Sequence, residues 1–249
     1  MLDNLGKVAV LLTGELRTWD IAKTYIFDFF DQFPIPVDYY FVTWNKSMTQ
    51  QVDADLITRS FSDKNLIVLK IEEEFFNEHY HHLNFLKKAH LTKIANILKR
   101  RYELDNDFVY DHVIEIRPDI YIGHTTVPKS KCKNLEIIID NIWYTENNIP
   151  HFHDLYFRST SLGDDILATK NVHQLYTRAM GFTDINVHDA GILSNSHFWL
   201  FDFFLKRRLI PMHIAKNDYG FVIAIRPNLP QGTYTYKEIA YYNRIYIKN

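Results

Sequence analysis

The sequence has little of what marks a disulfide-bonded, disordered or membrane-spanning protein. Cys132 is the single cysteine, which excludes an internal disulfide bond and a cysteine-rich zinc site. Glycine and proline are scarce, at eight residues each, which argues against disorder and long flexible linkers. The longest apolar runs, such as residues 8–12, are far shorter than the roughly 20 residues that a membrane-spanning helix needs.

Neither sign of charge is in excess, since 28 Lys and Arg residues stand against 30 Asp and Glu residues. Nucleic-acid-binding proteins usually carry a basic excess, so we expect no nucleic-acid partner. The first residues lack the basic and apolar regions of a secretory signal. We therefore expect a cytoplasmic protein with no membrane span. No linker or shift of composition divides the 249 residues, which predicts a single domain, 1–249.

Strand-like and helix-like segments alternate in the first half of the chain. The predicted strands are residues 7–13, 37–44, 66–71 and 110–122, and the predicted helices are residues 19–33, 53–61 and 85–104. This alternation predicts an α/β fold with a mostly parallel central sheet, flanked by helices and joined by right-handed crossovers. The second half is less regular. Its predicted strands are 135–140, 164–169, 209–213 and 221–225, and its predicted helices are 171–180 and 189–208.

The segment 110–122 is the most informative stretch of the chain. Alternation along a strand predicts that Glu115, Arg117 and Asp119 follow one another on one face. The same alternation places Tyr110, Ile114 and Ile116 on the other face. Ligands of open α/β sheets bind beyond the carboxyl ends of the strands, and a carboxylate there suits Mg²⁺ or Mn²⁺. The alternative interpretation is an internal ion-pair ladder at the end of a strand.

A second candidate site follows the first predicted strand. Gly14 would let the backbone approach a ligand closely, and Arg17 would donate two hydrogen bonds to a phosphate. The amino end of the next helix adds a positive partial charge. The segment matches neither the dinucleotide-binding glycine pattern nor the P-loop pattern. A tight turn with a surface arginine is the alternative.

Taken in order, these segments resemble a group of nucleotide-sugar glycosyltransferases from bacterial polysaccharide clusters and viral genomes. The resemblance is carried by V-A-V-L-L-T-G-E-L-R-T-W at 8–19, V-D-Y-Y-F-V-T-W at 37–44 and H-V-I-E-I-R-P-D-I-Y-I at 112–122, followed by D-D-I-L-A-T-K-N-V-H-Q-L-Y at 164–176 and H-D-A-G-I-L at 188–193. It implies a GT-A-like fold, with R-x-D where many members carry D-x-D. The nucleotide-binding half would span about 1–122 and the acceptor half about 123–249.

The resemblance also implies roles for single residues. Gly14, Arg17 and Arg117 would contact the donor and its diphosphate. Apart from the resemblance, Glu15 is a further candidate for this site, and Trp44 is a candidate stacking platform for a nucleobase or sugar ring. Asp119 would be catalytic, facing the diphosphate and a Mn²⁺ or Mg²⁺ ion, although the arginine of R-x-D leaves metal dependence open. The sugar or the acceptor would contact Asp164 or Asp165. His188, beside Asp189, is a further candidate for contact with a phosphate or the acceptor, with a solvated loop histidine as the alternative. Asp189 would be the general base of an inverting enzyme, or alternatively a helix cap.

The expected function is therefore the transfer of a sugar from a nucleotide-diphosphate sugar to a hydroxyl acceptor such as a glycan, as in polysaccharide biosynthesis. Two alternatives stay open at this point. The same sheet and the same charged groups would suit a nucleotidyl- or phosphotransferase. A non-catalytic carbohydrate-binding protein is the other alternative, because fold does not determine function.

Overall fold

A computed structural model describes the first half of the chain almost continuously and the second half in short segments. The described residues are 6–47, 50–73, 84–122, 137–139, 142–144, 150–152, 156–168, 212–214 and 222–224.

Helices follow strands through the first half, as the sequence predicts. The helices are α1 (Trp19–Phe30), α2 (Ala54–Ser60), α3 (Asn84–Asp105) and α4 (Ser161–Ala168). The strands of the first half are β1 (Val8–Thr13), β2 (Val37–Trp44), β3 (Lys46–Ser47), β4 (Gln50–Gln51), β5 (Asn65–Glu72), β6 (His112–Ile116) and β7 (Ile120–Ile122). Those that follow are β8 (Ile137–Ile139), β9 (Ile142–Tyr144), β10 (Pro150–Phe152), β11 (Tyr156–Ser159), β12 (Met212–Ile214) and β13 (Val222–Ala224).

The main sheet of the described residues has seven strands in the order β12-β8-β11-β6-β1-β2-β5. The four strands β6, β1, β2 and β5 run parallel, and β11 runs antiparallel to both of its neighbours. From β1 the chain proceeds to β2 and β5 on one side and then returns to β6 on the other. This reversal is a topological switch point, and it lies between the carboxyl ends of β1 and β6. The predicted α/β class with a mostly parallel sheet flanked by helices is confirmed. The sheet is compatible with a Rossmann-like fold, and the GT-A-like assignment stays a prediction.

Both faces of the parallel strands β6, β1 and β2 are buried, which explains why β1 is apolar at nearly every position, whereas β5 at the edge of the sheet is only partly buried. One face packs against aromatic residues of α1, such as Trp19 and Phe30, and against Phe61, which directly follows α2. The opposite face packs against α3, mainly through Leu91 and Ala95. Since successive residues of a strand point to opposite faces, each central strand contributes to both clusters.

The segment 110–122 is two strands, β6 and β7, separated at Pro118. The missing N–H of that proline predicts an end to regular pairing there, but the predicted start of the strand at Tyr110 is wrong. The backbone N–H groups of Asp111 and His112 both donate to the carbonyl oxygen of Lys7, at 2.9 and 3.1 Å. Regular alternation therefore begins at His112 and does not extend back to Tyr110. Tyr110 packs in the α3-facing cluster, so its predicted place beside Ile114 is wrong.

The predicted strand 164–169 is also wrong, since these residues belong largely to α4. Thr160 starts this helix: its hydroxyl accepts from the Gly163 N–H at 3.1 Å, and its carbonyl accepts from the Asp164 N–H at 2.9 Å. Ser161, Asp164 and Ala168 are buried at helical spacing, whereas Leu162 is exposed. The short apolar run after Asp165 is compatible with either structure, and the capping threonine decides for the helix.

The other predictions for the second half are tested only in part. The predicted strands 135–140, 209–213 and 221–225 each overlap a shorter strand, β8, β12 and β13 respectively. The predicted helices 171–180 and 189–208 lie outside the described residues, and the single-domain expectation stays a prediction. Among the helices that the structure describes, none has both the length and the apolar character needed to cross a membrane.

Candidate functional site

Two loops meet at the switch point, one after β1 and the other after β6. Gly14, the first residue beyond β1, has φ of +142°, a conformation that side chains disfavour. A Cβ atom at Gly14 would lie 3.2 Å from Cδ of Pro118. The glycine therefore allows the β1 loop to pack closely against the β6 loop.

The side chains that the sequence predicts for the diphosphate meet above this contact. Arg117 donates from Nε and Nη2 to the two carboxylate oxygens of Asp119, at 2.8 and 2.7 Å. Arg17 forms an ion pair with the same carboxylate, with Nη2 2.8 Å from Oδ2. The three residues come from two loops that are about a hundred positions apart in sequence, and we call them the arginine clamp. Such charge-assisted, two-pronged contacts are the strongest hydrogen bonds of proteins, so the geometry of the arginine clamp is well fixed.

The arginine clamp is open on its cationic side. The carboxylate of Asp119 is 2% exposed, whereas the side chains of Arg17 and Arg117 are 27% and 17% exposed. Nε of Arg17 is buried and has no hydrogen-bond partner among the described residues. The nearest charged group recorded for that atom is Oε2 of Glu15, at 3.7 Å, which is beyond hydrogen-bonding distance. The site therefore presents donors rather than acceptors to a ligand.

Glu115 does not continue the row that the sequence predicts. Its Oε1 accepts from the Thr92 hydroxyl at 3.0 Å and lies 3.4 Å from Nζ of Lys88, and both partners belong to α3. The Thr92 hydroxyl is also 3.3 Å from the hydroxyl of Thr13 at the end of β1. Glu115 thus faces α3 beneath the sheet edge, and the three predicted groups form two clusters instead of one. The alternative prediction of an internal ion pair at the end of the strand is correct for Arg117 and Asp119, which bind each other.

Trp44, at the carboxyl end of β2, is buried rather than open. Its side chain is 1% exposed, and its ring stacks on the imidazole of His90 with centroids 5.6 Å apart. Burial, assisted by the charge of Lys93, lowers the pKa of His90, and Glu72 opposes the shift. A nucleobase would reach this face of the indole only after His90 had moved. The donor-binding role of Trp44 stays a prediction.

Asp164 and Asp165 contact α3. Asp164 is 1% exposed and lies 3.2 Å from Nζ of Lys99, which is also 3.2 Å from Asp165. The amide of Asn96 donates to both carboxylates, at 2.6 and 2.8 Å. We call these four residues the lysine cluster. Burial raises the pKa of Asp164, against the opposing effect of the Lys99 charge.

This placement gives Asp164 and Asp165 a structural role, and their predicted contact with a sugar or acceptor stays a prediction. The contacts recorded for the two carboxylates are with α3 rather than with the arginine clamp. No sequence motif marks Thr92, Asn96 or Lys99 as functional. Lys99 is not among the positions that repeat at three- and four-residue spacing along 85–104, so the helical pattern carries no signal for its burial. His188 and Asp189 lie outside the described residues.

The expected Mn²⁺ or Mg²⁺ ion would need oxygen ligands, and Asp119 is the residue predicted to supply them. Both of its oxygens accept hydrogen bonds from guanidinium groups. A cation bound there would lie against two positive side chains, so the arrangement does not fit a cation held through Asp119. Within the described parts of the chain, no group of three or more His, Cys, Asp or Glu side chains is arranged to hold a metal ion.

Comparison with known proteins adds no relative to this picture. No family model matches the chain, and no curated protein matches it.

Proposed function

We propose that the chain is a GT-A-like glycosyltransferase that moves a sugar from a nucleotide-diphosphate sugar to a hydroxyl acceptor, such as a glycan. The observation that carries the proposal is the arginine clamp. It joins the loops after β1 and β6 at the switch point of a parallel sheet, where open α/β proteins bind their ligands.

The chemistry of sugar transfer suits these groups. When the bond between the anomeric carbon and the diphosphate breaks, negative charge develops on the leaving diphosphate. Arg17 and Arg117 would stabilise that charge with donors that are already oriented by Asp119. Helix α1 begins at Trp19, two residues after Arg17, so its positive end lies at the same edge.

The acceptor side of the proposal rests on the sequence. Asp189 would take the proton from the attacking hydroxyl if the enzyme inverts the anomeric centre. A retaining enzyme would not need this base. In either case the arginines act on the leaving group, and their role is independent of the stereochemical outcome.

A thermal-shift panel of nucleoside diphosphates and nucleotide sugars, each with EDTA or with Mn²⁺, tests the proposal. A ligand present at 100 times its Kd should stabilise the fold by about 2.7 kcal/mol. We expect a diphosphate and its sugar conjugate to raise the melting temperature, and chromatography to show release of the diphosphate when an acceptor mixture is added. An unchanged melting temperature with every nucleotide would contradict the proposal.

The same panel separates the alternatives. Stabilisation by nucleoside triphosphates, with release of pyrophosphate, would indicate a nucleotidyltransferase instead. Stabilisation by free glycans but by no nucleotide would indicate a carbohydrate-binding protein. Either outcome would contradict glycosyl transfer and support a different function for the chain.

A further inference from the structure

The arginine clamp differs from a cation site in the sign of the groups that it offers to a ligand. A carboxylate that binds Mg²⁺ or Mn²⁺ directs its oxygens at the ion. Asp119 instead directs both oxygens at Arg17 and Arg117, and it is the buried partner of the three. The groups at the accessible side are therefore the guanidinium edges.

The donors of Arg17 are not fully used. A guanidinium group carries five N–H donors on three nitrogen atoms. The recorded contact between Arg17 and Asp119 is made by Nη2. Nε of the same side chain is buried and lacks a hydrogen-bond partner within the described residues. A buried donor without an acceptor is unfavourable, so an acceptor oxygen from a ligand would satisfy it. This unsatisfied donor is evidence for an anion that is independent of the ion pairs.

Glu15 is the carboxylate that could compete with such an anion. Its Oε2 lies 3.7 Å from Nε of Arg17, and its side chain is 31% exposed. Glu15 and Arg17 are both partly exposed, so water weakens their ion pair, which contributes little. A phosphate group, which carries more charge and several acceptor oxygens, would displace Glu15 readily.

We infer that the arginine clamp binds the diphosphate of the donor directly, with Arg17 and Arg117 in the place of a divalent cation. The inference rests on the proposed function for the identity of the ligand, but the binding of a diphosphate group can be measured by itself. Asp119 is then a positioning residue, which holds the two guanidinium groups together.

Titration calorimetry with inorganic pyrophosphate tests the inference on the full chain. The wild-type protein is titrated in EDTA and then in Mg²⁺ or Mn²⁺, and UDP and GDP are measured in parallel. We expect binding in EDTA and no tightening when the cation is added. Electron paramagnetic resonance of Mn²⁺ should show no ion bound at the site in the presence of pyrophosphate beyond the Mn²⁺–pyrophosphate complex of the buffer.

Two variants assign the binding to the arginine clamp. R17Q and R117Q should each weaken pyrophosphate binding in EDTA by at least about tenfold, since each removes charge-assisted hydrogen bonds to the ligand. R101Q is the matched control, because Arg101 is 80% exposed on α3 and should leave binding within about twofold of wild type. Melting temperatures show whether each variant is folded.

The outcomes separate this inference from the proposed function. Diphosphate binding that appears only when a cation is present would overturn the inference and leave the transferase proposal in place. Equal binding by R17Q, R117Q and wild type would overturn the inference by placing the ligand elsewhere. Failure of pyrophosphate, UDP and GDP to bind under every condition would overturn both.

Discussion

The arginine clamp and the lysine cluster are built from the same kinds of charged group, with opposite signs at the centre. In the lysine cluster a fully buried Lys99 lies between Asp164 and Asp165, with Asn96 donating to both carboxylates. In the arginine clamp a buried Asp119 lies between two partly exposed arginines. In the lysine cluster the positive charge of Lys99 is neutralised inside the protein, and the contact joins α3 to α4. In the arginine clamp the guanidinium donors remain partly exposed, where an anion can reach them.

The difference shows how burial separates a structural ion cluster from a binding site. Charges that are fully buried depend on one another, because water cannot compensate for a missing partner. Among the buried side-chain atoms of the lysine cluster, only Oδ1 of Asp164 lacks a hydrogen-bond partner among the described residues. At the edge of the sheet, water or a ligand can complete the shell of a guanidinium group. The two clusters should therefore respond differently to mutation, pH and anions.

The largest effect is expected in the lysine cluster. K99M would leave the buried Asp164 without its cation, whereas Asp165 would keep Arg100 at 3.8 Å; the unpaired carboxylate should cost about 3–5 kcal/mol of unfolding free energy. Urea denaturation measures this loss. K93M on the same helix is the matched control, since Lys93 is exposed, and it should change stability by less than about 0.5 kcal/mol. A loss as small as that of K93M would show that the buried lysine is dispensable.

Acidification should reduce the difference in unfolding free energy between K99M and the wild-type protein. Burial already raises the pKa of Asp164, and loss of Lys99 would raise it further. A group whose folded-state pKa is raised favours folding most below its ordinary pKa, about 3.9 for aspartate, and this contribution is lost as pH rises through the folded-state pKa. The penalty of K99M should therefore be larger at pH 7 than at pH 5. A penalty that does not vary with pH would argue against a carboxylate origin.

A smaller effect is expected from D119N in the arginine clamp. The substitution keeps the shape of the side chain but removes the charge that two guanidinium groups contact, at a cost of about 2–3 kcal/mol. Partial exposure of both arginines keeps the cost below that of K99M, because water solvates them. Pyrophosphate should restore stability to D119N, whereas it should not rescue K99M beyond its effect on wild type. Rescue of both variants to the same extent would remove the distinction between the clusters.

G14A tests the packing beneath the arginine clamp. A φ of +142° disfavours any side chain, and the new methyl group would lie 3.2 Å from Pro118, so we expect a loss of about 1–2 kcal/mol. The double variant G14A/P118A removes the steric contact but keeps the backbone strain. Partial recovery of stability in the double variant would assign the remainder to φ, and no recovery would show that Pro118 is not the obstacle.

The smallest effect concerns the Trp44–His90 pair, which belongs to neither cluster. The pKa of His90 is lowered chiefly by burial, so its contribution to stability is present above the ordinary histidine pKa of about 6.5 and is lost as pH falls through the lowered value. Replacing His90 by Gln should flatten this part of the pH profile, and Trp fluorescence should report the loss of stacking. An unchanged profile in H90Q would assign the acid sensitivity to other groups.

Much of the first half could be predicted from sequence because its signals are strong and local. The predicted strand 37–44 has the same bounds as β2, and apolar runs of strand length separate cleanly from the long periodic segment of α3. The rule that ligands bind beyond the carboxyl ends of strands also identified the two loops that meet at the switch point. These predictions needed no knowledge of distant contacts.

The errors have a common origin in interactions that alternation does not encode. Tyr110 departs from the pattern because two N–H groups share the carbonyl oxygen of Lys7 before the strand begins. Glu115 lies on the same face of β6 as Val113, as alternation predicts, and pairs with Thr92 of α3. Arg117 and Asp119 follow the end of β6 and pair with each other instead of continuing that row. Lys99 has the composition of a surface residue and is buried only because two aspartates of α4 reach it. Each error required knowledge of a partner far away in the sequence.

The pairing of β1 with β6 also has a consequence for the order of events in folding. Lys7 and Asp111 are linked by a hydrogen bond across 104 positions, and Val8 lies opposite His112 in the sheet. A loop of this length must close before Arg17 can meet Asp119, and such non-local contacts form slowly. We therefore expect the ability to capture an anion to emerge late during refolding, after helical signals have recovered. Secondary structure would form in an early phase of refolding, and anion binding would appear in a later phase.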